Sequence, residues 1–430
     1  MTDALLVLLD RSIIGTVFRL NGGRLRFDYA DDYRDSAGAT PLSLSMPTQV
    51  RSHPHSAITP WLWGLLPDND LILTRWARQF HVSRSSPFSL LSTPIGRDCA
   101  GAVQFVSVDH GDDPLTTSGN VTWLSEDDVA ERLRDLRRDS TAWLGTRFAG
   151  QFSLAGAQAK TALIFRDERW GVPSGSTPTT HILKPAVTGL DDHDLNEHLC
   201  LDAARRAGLV AARTRVVRFG DESAVIVDRY DRQEQGAELV RVHQEDLCQA
   251  LGVSPAAKYE NEGGPGTATI ARLLREAMPP RVADDALRRF ADALIWNWLI
   301  AGTDAHAKNY SVLLANDQVR LAPLYDVASA LPYGTHERKL RLAMKVGGDY
   351  RVVPARNAWP AAAKDLGLDP DALQDRILEL GARAPDAFAE AANEPDIVAL
   401  GRPMPGRLVD LVADQAARCS RLIGARGTAD

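Results

Sequence analysis

The chain has 430 residues, 44% of them hydrophobic and 24% charged, a composition of ordinary globular proteins with core enough for two or three domains. Its formal net charge of -7 at pH 7 argues against bulk electrostatic attraction to nucleic acid, which needs a basic surplus. No apolar run approaches the roughly 18 residues of a membrane helix, Met1-Thr2-Asp3 lacks a basic signal-peptide region, and Cys99, Cys200, Cys248 and Cys419 stand singly, so the chain reads as cytoplasmic, with no membrane partner, disulfide framework or zinc site.

In chain order, Leu5 to Leu8, Gly15 to Leu20 and Leu25 to Tyr29 read as short strands separated by the turn signals Asp10-Arg11 and Asn21-Gly22-Gly23. A helix is expected after Pro67-Asp68-Asn69, and a strand from Ala102 to Val108. Ser125-Glu126-Asp127-Asp128 opens a charged helix as a capping-box variant, with Leu124 and Val129 placed as a hydrophobic staple; it reads as a link to the next module. From Gly150 the pattern becomes a glycine-interrupted loop, strands Thr161 to Arg166 and Thr180 to Lys184, a helix Leu195 to Ala207 stopped at Gly208, and strands Thr214 to Phe219 and Ser223 to Arg229. The remainder reads as mainly helical, except for Ser311 to Leu314 and Val319 to Leu321. These flank Ala315-Asn316-Asp317-Gln318 as a hairpin. Gly263-Gly264-Pro265-Gly266 reads only as a loop.

The strongest chemical signal is Thr303-Asp304-Ala305-His306-Ala307-Lys308-Asn309, after a helix whose Leu287, Phe290, Ala291, Leu294, Ile295, Trp298 and Leu299 form one apolar stripe and which Gly302 is expected to end. An Asp, then four residues, then an Asn is the spacing of a protein-kinase catalytic loop, in which the Asp takes the substrate hydroxyl proton and the Asn holds Mg²⁺. The hairpin then returns the chain to Asp326, where a second Mg²⁺ ligand is expected; a hard cation wants such oxygen donors. Each residue alone reads equally as a helix cap, a turn or a loop acid. Their joint occurrence around a hairpin favours phosphoryl transfer.

On the phosphate side, Gly150 to Lys160 matches neither common glycine-rich signature. Its small residues suit a backbone that approaches phosphate, and equally suit a tight turn with a solvated lysine. Lys184, ending a strand, is the candidate phosphate lysine, with Glu197 on the next helix as its orienting acid; a surface lysine is the plain alternative. The strand Ala224 to Asp228 followed by Arg229-Tyr230-Asp231-Arg232 reads as an inter-lobe hinge that meets adenine, or as an edge strand with a polar end. His243 and His306 read as structural, having no second ligand at metal spacing.

Together these segments resemble the HipA family of serine/threonine kinase toxins over nearly the whole chain. The resemblance is carried by Pro41-Leu42-Ser43-Leu44-Ser45-Met46-Pro47, Leu65-Leu66-Pro67-Asp68, Ile95 to Val103, Phe152 to Lys160, Thr179 to Lys184, Asn196-Glu197, Gln244-Glu245-Asp246, Lys258-Tyr259-Glu260 with Gly263 to Gly266, Thr303 to Asn309 and Tyr325-Asp326. It implies an α+β, two-lobed protein-kinase-like fold: an N-terminal β-rich subdomain over 1–110, a kinase N-lobe over 111–228 and a mostly helical C-lobe over 229–430. It implies Asp304 as catalytic base and Asn309 and Asp326 as Mg²⁺ ligands. ATP would meet Ser153, Ala155, Gly156, Ala157, Gln158, Lys160, Lys184, Asp228, Tyr230, His306, Lys308, Asn309 and Asp326. It further implies autophosphorylation at Ser153 as an off switch, a protein substrate of the aminoacyl-tRNA synthetase class, and a helix-turn-helix antitoxin (HipB-like) dimer that carries most contact with operator DNA. Ala305, Ala159 and Asp228 depart from the family's usual residues without removing a catalytic group. A small-molecule phosphotransferase and a non-catalytic co-repressor scaffold remain open as rivals.

Overall fold

The computed structural model describes residues 4–107, 119–147, 149–187, 189–236, 238–316, 318–334, 339–353 and 357–424. Val108, expected to end a strand, and Asp317, expected in a hairpin turn, lie outside the described residues. The chain divides into two compact units, each drawn from non-contiguous stretches: Met1–Pro185, Arg218–Ala256 and Ser311–Val319 in the first, Ala186–Val217, Ala257–Tyr310 and Arg320–Asp430 in the second.

In the first unit β1 (Ala4–Leu9), β2 (Ser12–Arg19), β3 (Leu25–Tyr29), β4 (Ser52–His53) and β5 (Val103–Ser107) form an antiparallel sheet in the order β4-β3-β2-β1-β5. Leu25, Phe27 and Tyr29 are buried while Arg26 and Asp28 are not, the alternation that a one-sided sheet imposes. The helix His55–Gly64 packs on β3. Sequence reading missed it because Pro60 stands in its interior, a residue that normally argues against a helix.

A second sheet follows from β6 (Asn120–Leu124), β7 (Thr161–Arg166), β8 (Arg169–Ser174), β9 (His181–Pro185), β10 (Thr214–Phe219) and β11 (Glu222–Asp228), in the order β10-β11-β9-β7-β8-β6. β11 is therefore an interior strand, which removes the edge-strand alternative. The helix Glu126–Arg138 is no mere link: it packs on β9 and β11 through a face that buries Val129, Ala130, Leu133 and Leu136. Its expected capping box is present, with Asp128 N donating to Ser125 Oγ at 3.2 Å and Ser125 N to Asp128 Oδ2 at 2.9 Å.

The reading of the remainder as helical apart from one hairpin is corrected by β12 (Arg232–Gln235), β13 (Glu238–Arg241) and β14 (His243–Asp246), with β14 pairing to β15 (Ser311–Ala315) and β15 to β16 (Gln318–Leu321). Arg232 to Gln235 is wholly polar, so its strand state comes from pairing and not from propensity. Two more strands, β17 (Arg341–Val346) and β18 (Asp349–Arg351), form a small hairpin in the second unit.

That unit is otherwise helical. Pro370–Ala392 packs against His193–Arg206, Pro280–Leu299 and Met404–Gly424. The predicted stripe of Pro280–Leu299 is buried, and Ala293, Trp296 and Asn297 are buried with it, so the helix end is enclosed on more than one side. Trp296 stacks on Phe388 at 5.8 Å, and Trp298 meets Trp359 edge-on at 5.2 Å. Among the described residues no helix is long and apolar enough to cross a membrane, and the four cysteines are free and buried.

Candidate active site

The buried helix Pro280–Leu299 ends in a Schellman motif that launches the Asp304 loop. Gly302 N donates to Asn297 O at 2.7 Å and Ala301 N to Trp298 O at 3.3 Å, with Ala301 left-handed at φ 52°. The expected stop at Gly302 is thus shifted: the left-handed residue is Ala301. Glycine is needed at 302 because a Cβ there would stand 2.3 Å from Oδ1 of the buried Asn297.

Beyond the cap, the loop closes on the Asp304 carbonyl, which accepts from His306 N at 2.8 Å and from Asn309 Nδ2 at 2.8 Å. These bonds leave the Asp304 carboxylate on an exposed residue and orient the Asn309 amide with Oδ1 as its remaining acceptor. Tyr325 OH donates to Lys308 O at 2.7 Å, which ties the segment bearing Asp326 to the same loop. Asp326 is left-handed at φ 52°, a conformation Asp visits more readily than most residues, and one that recurs at functional sites. His306 and Lys308 are buried, and the His306 ring meets Tyr259 edge-on at 4.8 Å.

Tyr259 is the residue of this loop cluster that sequence reasoning placed only by resemblance. Its phenol donates to Asp304 Oδ1 at 2.6 Å. The Gly263-to-Gly266 segment is more than a loop, because Gly264 N and Glu262 N both donate to Tyr259 O, at 2.9 and 3.0 Å. A Cβ on Gly264 would lie 2.3 Å from Ala257 O. Glycines beside an aromatic were the available signal.

In the first unit the glycine-rich loop is docked on the N-terminal subdomain. Ser153 is fully buried; its Oγ donates to Leu65 O at 2.9 Å and its N to Asp98 O at 2.9 Å. Isolated bridges join Ser153 to Cys99 and Gly156 to Pro67. Lys160 is buried too, with Nζ donating to Ala155 O at 2.7 Å and lying 5.1 Å from the Trp143 ring centroid, so the solvated-lysine alternative fails. Gly156, at φ 101°, leaves room for that amine, since a Cβ would stand 2.8 Å from Nζ. Ala157 is exposed, and Gln158 Nε2 is buried without a hydrogen-bond partner among the described residues.

Lys184 lies in β9 opposite Val225 of β11 and is 3% exposed, so it is not a surface lysine. Glu197 is buried in the helix His193–Arg206 of the second unit. Asp228 ends β11 with its carboxylate 3.3 Å from His181 Nε2, and Tyr230 OH donates to Gln244 Oε1. His243 is structural as expected: Nε2 contacts Leu42 O at 2.9 Å, and burial lowers its pKa to about 4.

The charged residues interleaved with Asp228 and Tyr230 form a buried network that sequence reading did not isolate. Asp98 Oδ1 accepts from Arg232 at 2.8 Å, and its Oδ2 accepts from Thr179 Oγ1 at 2.6 Å and Arg229 at 3.3 Å. Arg229 also donates to Asp231 at 2.8 Å, and Arg241 lies 3.6 Å from Asp98. Burial alone would raise the Asp98 pKa, but the Arg232, Arg229 and Arg241 guanidiniums outweigh it and hold the carboxyl below its ordinary range.

Among known proteins, the HipA N-terminal domain family matches residues 5–106 and the HipA-like C-terminal domain family matches residues 152–388. Y4mE of Sinorhizobium fredii is 31% identical over 95% of this chain and 96% of its own length. The serine/threonine-protein kinase toxin HipA of Shewanella oneidensis is 28% identical over 94% of each chain. A solved structure of the Shewanella oneidensis HipA, HipB and operator DNA complex superposes with TM-score 0.83 at 24% identity, covering 99% of this chain and 100% of that one. That likeness carries the two-lobed, kinase-like α+β fold. With both halves matched and relatives aligned almost end to end, this chain is a member of the HipA family of serine/threonine-protein kinases.

Proposed function

We propose that the chain transfers the γ-phosphoryl group of ATP, with Mg²⁺, to serine or threonine hydroxyls of a protein. The observation that carries this reading is the Asp304 loop, where one carbonyl gathers His306 N and Asn309 Nδ2. Asp304 then accepts the substrate hydroxyl proton, and Asn309 Oδ1 and Asp326 hold Mg²⁺. No group of three His, Cys, Asp or Glu side chains is gathered for a metal among the described residues, and none is required: Mg²⁺ takes one or two protein carboxylates and completes its shell with phosphate oxygens and water. The bound nucleotide supplies the transferred group and those oxygens. Lys184 and the Ser153-to-Lys160 loop meet the phosphates; the partnerless Gln158 Nε2 suits an acceptor brought by a ligand. His306 and Lys308 back the catalytic loop, and Asp228 and Tyr230 border the adenine.

Ser153 is the autophosphorylation site and off switch in this reading. Its hydroxyl is buried against Leu65 O, and a phosphate there would set nearly two negative charges against a carbonyl with no room to hydrate them. The modified loop therefore cannot redock. By likeness to the Shewanella protein, the partner is a HipB-like helix-turn-helix antitoxin dimer through which operator DNA is met. The substrate is of the aminoacyl-tRNA synthetase class, and the site of action the cytoplasm.

The test is incubation of phosphatase-treated wild type and Asp326→Ala with Mg²⁺ and γ-labelled ATP, followed by mass-spectrometric mapping. Label on Ser153 in the wild type alone is expected. An unlabelled wild type would overturn the kinase reading in favour of a co-repressor scaffold.

A further inference from the structure

We propose that Tyr259 is a positioning residue for the transfer step: its phenol engages one oxygen of Asp304 and so aims the other at the substrate hydroxyl. The inference rests on the reading of Asp304 as the base. Asp304 is exposed and its side chain would otherwise rotate freely, whereas a base must hold its proton-accepting oxygen within hydrogen-bond reach of the nucleophile. The Tyr259 phenol donates to Oδ1 at 2.6 Å, which leaves Oδ2 to accept the substrate proton.

Tyr259 is itself held on several sides. Its ring stands edge-on to the buried His306 at 4.8 Å, and Lys258 Nζ lies 5.5 Å from its centroid. Its carbonyl takes two amide donors from the glycine turn. The neighbouring Glu260 is anchored by Lys345 N, which donates to Oε2 at 2.6 Å. The segment from Lys258 to Gly266 thus acts as a brace that delivers one hydroxyl to one carboxylate oxygen.

The experiment compares full-length wild type, Tyr259→Phe and Asp304→Asn, each phosphatase-treated, for the rate of γ-phosphate incorporation into Ser153 against ATP concentration. Tyr259→Phe keeps the ring and its His306 contact but removes the donor. It is expected to slow incorporation by about 10-fold or more, as loss of a hydrogen bond to a charged group predicts, with the half-saturating ATP concentration unchanged. Rates are expressed per nucleotide-binding site titrated with ATP, so a misfolded fraction does not enter the comparison. A wild-type rate in Tyr259→Phe overturns the proposal. So does a slower rate with ATP dependence weakened in parallel, since that marks a merely structural residue. Wild-type activity in Asp304→Asn would instead remove the base reading on which the proposal stands.

Discussion

Asp98→Asn tests whether the buried charge network is what clamps the N-terminal subdomain to the second sheet. In the wild type the guanidiniums of Arg229, Arg232 and Arg241 are 2%, 2% and 4% exposed and face the carboxylates of Asp98 and Asp231. The substitution keeps the shape and an oxygen for Thr179, but removes the carboxylate that all three buried cations share and leaves Arg229 and Arg232 to Asp231. Breaking such a pair from one side costs about 3–5 kcal/mol, because the abandoned charge stays desolvated. For a unit of this size that corresponds to a fall of about 10 °C in Tm, read by calorimetry or by circular dichroism on heating. Glu238→Gln is the matched control, since its partner Arg11 is 72% exposed and such pairs contribute about 0–1 kcal/mol. The pH dependence has a definite sign. Asp98 and Asp231 are both held below the ordinary carboxylate range, so their contribution is full above the unfolded pKa near 3.8 and is lost as pH falls through the folded value. The gap between wild type and variant should therefore close in acid. A Tm change no larger than that of Glu238→Gln at pH 7 would refute the clamp.

Three further outcomes follow from particular residues. Gly302→Ala should destabilise by about 2 kcal/mol or more and depress transfer, because its Cβ meets Asn297 Oδ1 at 2.3 Å; Ala301→Gly, relieving a left-handed alanine, should raise stability by about 1 kcal/mol, and urea titration reads both. Glu245 is fully buried where it accepts from Leu44 N at 2.8 Å and Trp61 Nε1 at 3.1 Å, and burial raises its pKa to about 8. Its folded pKa exceeds the unfolded 4.5, so its contribution is full below 4.5 and lost as pH rises through about 8. Glu245→Gln should accordingly be the more stable protein at pH 9, by on the order of 2 kcal/mol; equal melting curves there would sink this assignment.

The sequence by itself determined the locally encoded parts. Period-2 alternation fixed β3 and the capping box fixed the start of the helix at Glu126, because these depend on neighbours a few residues apart. The catalytic loop was legible for the same reason: Asp304, His306 and Asn309 bond to one another within six residues. Tertiary structure alone decided what depends on distant partners. The strand state of Arg232 to Gln235, the docking of Ser153 on Leu65 and Asp98, and the gathering of Asp98 with Arg229, Arg232 and Arg241 join segments far apart in the chain. Tyr259 shows the boundary between the two. Its glycine-rich neighbourhood announces a turn, but only the folded chain brings its hydroxyl to Asp304 across 45 residues.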